Sequence, residues 1–148
     1  MVYLDTSVLI KLYFREQYSL EIAAWIKRNN QPIPLTRFHE LEFFNAVKLK
    51  QFRDEIVEEE AEQTLSRFQA HEKKGVYYRP LLEWPTVFHR AIQLSKEHTY
   101  QIGARSLDIL HVASALAMNA GKFFTLDRRQ SELARSAGLK VEALPFSP

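Results

Sequence analysis

Short runs of β-forming, apolar residues alternate along this chain with longer stretches of helical periodicity, and that alternation constrains the fold more than any other feature. Val2-Tyr3-Leu4 is the first β-like run. A short helical pattern over 8–14 and a longer one over 18–29 follow, and Asn29-Asn30-Gln31-Pro32 breaks the second. Ile33 to Leu35 reads as a short buried strand, although Pro34 cannot donate to a ladder. Residues 37–52 are helical. Asp54 is placed to cap a further helix through Ile56 and Val57 to about Glu72, with Glu58-Glu59-Glu60 as a solvated face. Lys73-Lys74-Gly75 ends it, with cations and a glycine where a helix C-terminus favours them. Val76-Tyr77-Tyr78 is another strand candidate, and Trp84-Pro85 opens a helix running to about Thr99. Ser106 is positioned to cap a helix from Leu107 to Asn119, which Gly121 ends. Strand Lys122–Thr125, helix Arg128–Ser136 closed by Gly138, and a short strand Lys140–Ala143 complete the pattern.

Strands separated by helices pair through crossovers, which makes the sheet parallel and covers it with helices. The expected class is α/β: a three-layer α/β/α arrangement with a central parallel sheet of about four to five short strands. No repeat, linker or low-complexity segment divides residues 1–148, so a single domain is expected.

Composition narrows the chemistry. Residues are 46% hydrophobic and 26% charged, which suits a packed core rather than disorder. The absence of Cys excludes disulfides, thiolate catalysis and Cys-based zinc sites, and suits a reducing cytoplasm. The most apolar helical stretch, 107–118, contains Asp108 and His111 and is shorter than the roughly 20 residues a bilayer requires. Met1 to Asp5 lack the pattern of a secretory leader, so a soluble chain with no membrane partner is expected. A net charge of +2 permits nucleic-acid binding without arguing for it.

Four acids stand out. Ligands of parallel α/β sheets gather beyond the carboxyl ends of strands. Asp5 follows Val2-Tyr3-Leu4, and Asp127 closely follows Phe123-Phe124-Thr125. Either could equally be a helix N-cap, and Asp127 with Gln130 resembles a capping box. Asp108 lies in the first turn of a helix apolar nearly all round, so it must be hydrated, paired with Arg105, or bound to a cation. His111, one turn along, is more readily a hydrogen-bonded core residue than a ligand. In Arg37 to Ala46, Glu40 and Glu42 face different directions; Glu42, among Leu41, Phe43 and Phe44, is the candidate for the core side, and Glu40 for the solvated one. Clustered carboxylates repel one another, and Mg²⁺ or Mn²⁺ relieves that repulsion while offering Lewis acidity to a phosphodiester. No nucleophile triad, Walker loop or Gly-rich dinucleotide loop competes.

Those residues resemble a known family. Val2-Tyr3-Leu4-Asp5-Thr6-Ser7 is similar to the opening strand and first acidic motif of PIN domains. Thr36 to Ala46 resembles their second motif, with Glu42 in register; Arg105 to Ala113 the third; Phe124-Thr125-Leu126-Asp127 the fourth; and Ala137 to Val141 the closing turn and strand. The short format resembles VapC-type toxins of toxin–antitoxin pairs. This resemblance implies a Mg²⁺- or Mn²⁺-dependent endoribonuclease, a VapB-like antitoxin that blocks the active site, and a homodimer. It implies an acidic quartet of Asp5, Glu42, Asp108 and Asp127 as catalytic and metal-binding residues. Thr6 and Thr125 would support them through their hydroxyls, and Arg105 would steady Asp108, contact RNA phosphate or pair with the antitoxin. The helical segment Arg37–Lys73, with Phe38, Phe43, Phe44, Phe52 and Phe68, would supply partner surface. The alternatives are action on DNA or another phosphoester, and a non-catalytic partner-binding module.

Overall fold

The computed structural model describes residues 1–142. Its elements run β1 (Val2–Leu4), α1 (Thr6–Ile10), α2 (Ser19–Asn29), β2 (Ile33–Pro34), α3 (Arg37–Phe52), α4 (Glu58–Lys73), β3 (Tyr77–Tyr78), α5 (Trp84–Ile102), α6 (Ser106–Ala117), β4 (Lys122–Phe124), α7 (Arg128–Ser136) and β5 (Val141–Glu142). The fold is α/β, and every strand pairing among the described residues is parallel. The five strands form two ladders, β1-β4-β5 and β2-β3, where the alternation suggested one sheet of four to five. The chain gathers into two compact units: Met1–Asp5 with the segment from Pro80 onward, and Thr6–Arg79.

In the first unit, β1 lies against β4 in the register Val2↔Lys122, Tyr3↔Phe123, Leu4↔Phe124, and β4 against β5 with Phe123↔Val141. All three residues of β1 are buried, the continuous apolar run expected of a strand covered on both faces. Tyr3 stacks on Phe123 with ring centres 5.5 Å apart. Its buried hydroxyl meets His111 Nδ1 at 2.8 Å, so the polar atom in the core is satisfied. Helices α5, α6 and α7 pack on one another beside this sheet. Helix α6 buries Ile109 through Ala115 without interruption, which places its only first-turn acid, Asp108, at the edge of the core.

In the second unit, Ile33 N–H donates to Val76 O and Leu35 N–H to Tyr78 O, at 3.0 and 2.9 Å. Pro34 lies between these donors. It is tolerated because β2 has one partner strand, so the missing N–H falls on the unpaired side. Phe43 of α3 and Phe68 of α4 stack at 4.0 Å with no exposed surface. Burying each ring contributes roughly 1.5–3 kcal/mol. Both therefore belong to the core, not to a partner surface, while Phe52 is 83% exposed.

Several boundaries differ from the sequence expectation. Helix α1 ends at Ile10, four residues early. Asp54 does not cap α4: it sits at φ 56°, its N–H donates to Gln51 O, and Glu55 N–H donates to Lys50 O. That is the paired-bond closure of α3, with Asp54 in the left-handed position. Helix α4 starts at Glu58 after Val57, with no side-chain cap. Helix α6 begins at Ser106 itself and is closed by Asn119 at φ 51° rather than by Gly121. Of the last expected strand, Ala143 lies outside the described residues.

Candidate active site

The acids of the first unit are built outward from the β1-β4 ladder. Asp5 N–H donates to Phe124 O at 2.9 Å, extending the pairing one residue past β1. The carboxylate thus stands at the carboxyl end of the sheet, and the residue is only 7% exposed. Thr125 Oγ1 lies 3.5 Å from Asp5 Oδ2, at the long limit for a hydrogen bond, and accepts from Asp127 N–H at 3.0 Å. His111 Nε2 stands 3.6 Å from Asp5 Oδ1. A single imidazole therefore links the Tyr3 hydroxyl in the core to the Asp5 carboxylate at the rim, which is the core role expected of it rather than that of an isolated ligand.

Asp127 is an N-cap: its Oδ1 accepts from Gln130 N–H at 2.8 Å, opening α7. The capping box is only half made, because the Gln130 side chain turns elsewhere. Gln130 is fully buried and reaches from Nε2 toward the Asp108 carbonyl at 3.5 Å, while its Oε1 has no hydrogen-bond partner among the described residues. Asp108 is paired with Arg105, Nε to Oδ2 at 2.8 Å and Nη2 to Oδ1 at 3.5 Å. Asp108 above all, then Asp127 and Asp5, hold the Arg105 pKa above its ordinary value. Three carboxylates thus act on one guanidinium.

In the second unit the choice between Glu40 and Glu42 has a geometric counterpart. Thr6 Oγ1 donates to Glu42 Oε1 at 2.7 Å. Glu40 pairs with Arg37 at 2.8 Å and with Arg79 at 3.1 Å, so it is engaged rather than merely solvated. Arg79 also pairs with Glu72, which holds the Glu72 carboxyl below its usual range. Sequence reading had not singled out Arg79. Arg79 follows Tyr78 directly, at the same strand-end position that drew attention to Asp5; Gln130 was noticed only for its spacing from Asp127.

A model of the PIN domain matches residues 2–136. This chain belongs to the PIN domain family. PIN domains are generally nucleases, and they typically use divalent metals. Two solved structures are similar in fold. One is VapBC2 from Rickettsia felis bound to a DNA fragment from its promoter, with TM-score 0.66, 18% identity, and coverage of 96% of this chain and 98% of that one. The other is FitAcB from Neisseria gonorrhoeae, with TM-score 0.66, 13% identity, and coverage of 99% and 100%. No curated protein matches at a significant level.

The donor set of this PIN domain fits a hard cation. Asp5, Asp108 and Asp127 offer carboxylate oxygens with Thr125 beside them, the ligand chemistry of Mg²⁺ and Mn²⁺. Among the described residues no three Asp, Glu, His or Cys side chains stand together at metal-binding spacing. Arg105 is the cation that the acids of the first unit face, and it holds both oxygens of Asp108. None of the described helices is long and apolar enough to cross a membrane.

Proposed function

We propose that this PIN domain is a Mg²⁺- or Mn²⁺-dependent endoribonuclease acting as one domain, the VapC-like toxin of a toxin–antitoxin pair in the cytoplasm. The observation that carries the nuclease reading is the buried Asp5 carboxylate at the carboxyl end of a parallel sheet, which acts with Asp108 and Asp127 on one arginine. Glu42, bonded to the hydroxyl of the residue that follows Asp5 in the chain, is the fourth acid. The metal would be held by carboxylates of this quartet, with Asp5 central, and when bound it supplies Lewis acidity and a water of lowered pKa for attack on phosphorus.

The chain's own side chains orient and bind. His111 and the Thr125 hydroxyl stand beside the Asp5 carboxylate at 3.6 and 3.5 Å, and the Thr6 hydroxyl donates to Glu42 at 2.7 Å. Asp127 caps α7 through Oδ1 and adds its charge at the rim. RNA would be gripped chiefly by Lys and Arg contacts to phosphate, so its binding weakens as salt rises. The toxin reading is supported by fold likeness to complexes named VapBC2 and FitAcB, and it brings with it a VapB-like antitoxin and a homodimer.

Asp5→Asn tests the centre. In Mn²⁺ it should lose RNA cleavage by roughly a hundredfold or more while keeping its circular dichroism and melting transition. RNA, single- and double-stranded DNA and a small aryl phosphoester run side by side decide the substrate. Full RNA cleavage by Asp5→Asn would overturn the mechanism. Preference for DNA or the small ester would overturn the ribonuclease assignment.

A further inference from the structure

The ion pair at the rim is lopsided. The Asp108 side chain keeps 14% of its surface, whereas that of Arg105 keeps 73%. The acid is fixed by the helix that carries it, since turning α6 to hydrate Asp108 would expose the buried run Ile109–Ala115. The arginine has no such anchor. It is the N-cap residue of α6, and its side chain makes no capping bond. A cation at a helix N-terminus also opposes the helix dipole, which favours negative charge there. Helix stability therefore gives no reason for an arginine at this position; the carboxylates do. Its fork covers both oxygens of Asp108, and Asp127 and Asp5 act on it from beyond.

We propose that Arg105 is a displaceable counter-ion of the rim: its guanidinium and a divalent cation compete for the Asp108 carboxylate. This rests on reading the rim as a divalent-cation nuclease centre. The competition is electrostatic and geometric. The fork engages the Asp108 oxygens from one side, and the two positive charges of a cation on the same carboxylate repel the guanidinium at contact distance. Release costs little, because Arg105 already lies mostly in water and exposed ion pairs of this spacing are weak. Arg105 thus lowers cation affinity without blocking the site.

The experiment is calorimetric titration of the full chain with MnCl₂ alone, at low ionic strength and without RNA. Arg105→Ala and the closer isostere Arg105→Gln should each bind Mn²⁺ roughly two- to fivefold more tightly than wild type, the range an exposed pair allows. Arg135→Ala removes an exposed arginine from the last turn of α7 and should leave Mn²⁺ affinity unchanged. If wild type binds Mn²⁺ and neither Arg105 variant binds it more tightly, the counter-ion role is wrong while the nuclease reading stands. An equal gain in Arg135→Ala would also overturn it, because net charge alone would then account for the change. Mn²⁺ binding that is absent in wild type, or unaltered in Asp5→Asn, would bring down the nuclease centre itself.

Discussion

Each parallel ladder ends near a cluster of charged side chains, and the two clusters differ in how their charges balance. By the β1-β4-β5 sheet, Asp5, Asp108 and Asp127 share one arginine that is mostly in water. By the β2-β3 ladder, Glu40 and Glu72 face Arg37 and Arg79 one for one. The second cluster neutralises itself: Arg79 depresses the Glu72 carboxyl pKa, and the two glutamates raise that of Arg79 in turn. It behaves as an internal salt and leaves little field for a ligand. In the first, three acids act on one arginine, and a further cation would ease their mutual repulsion. Position beyond a parallel strand therefore does not distinguish the two clusters; the balance of charge does.

That contrast can be broken most directly at Asp108. Asp108→Asn should lower Mn²⁺-dependent RNA cleavage by roughly a hundredfold or more with the fold retained, as a lost ligand would. Glu72→Gln should leave cleavage unchanged and cost about 1 kcal/mol in urea unfolding, since it removes one partner of a partly buried pair. If Glu72→Gln proved as damaging to cleavage as Asp108→Asn, the two clusters would not differ in kind.

The smallest expected effect concerns pH. In the second unit the Tyr13 hydroxyl meets His71 Nδ1 and the Tyr77 hydroxyl, both at 2.7 Å. Burial, and then Arg67 and Lys74, push the His71 pKa below its ordinary 6.5. The unfolded chain therefore takes up this proton first as pH falls. The contribution of neutral His71 is present above the unfolded value and is lost as pH falls below it. His71→Gln keeps a partner for Tyr13 but does not titrate. It should flatten the decline in stability as pH falls below the ordinary histidine value of 6.5, measured as urea midpoints. An unchanged slope would assign that decline to other groups.

Local order was largely legible in the sequence. Helix α3 begins and ends where its pattern predicts, because Thr36 provides a side-chain cap and the periodic run ends at Phe52. The cap held a surprise: His39, at the third helical position, returns the bond that a glutamate or glutamine usually supplies. The errors came where one residue type serves two opposite purposes. Asp54 belongs to the residue types that favour N-caps, yet Asp and Asn also tolerate the left-handed conformation, and here it closes the preceding helix. Asn119 closes α6 in the same way, two residues before the glycine expected to do so. The division of strands into two ladders carried no local signal, since parallel partners such as β1 and β4 lie more than a hundred residues apart.

The candidate acids were legible singly, but their partners were not. Spacing suggested Arg105 for Asp108, and the pair formed. Nothing local indicated that Arg79 would take Glu40, or that Gln130 would leave its capping box half made to reach the Asp108 carbonyl. Such contacts depend on side chains meeting across the fold, a question periodicity does not answer.

Helix α6 holds Asp108 in place through the apolar run behind it, so the acid does not depend on residue 105 for its position. An inherited change at 105 would alter how strongly the rim attracts ions without rebuilding the rim.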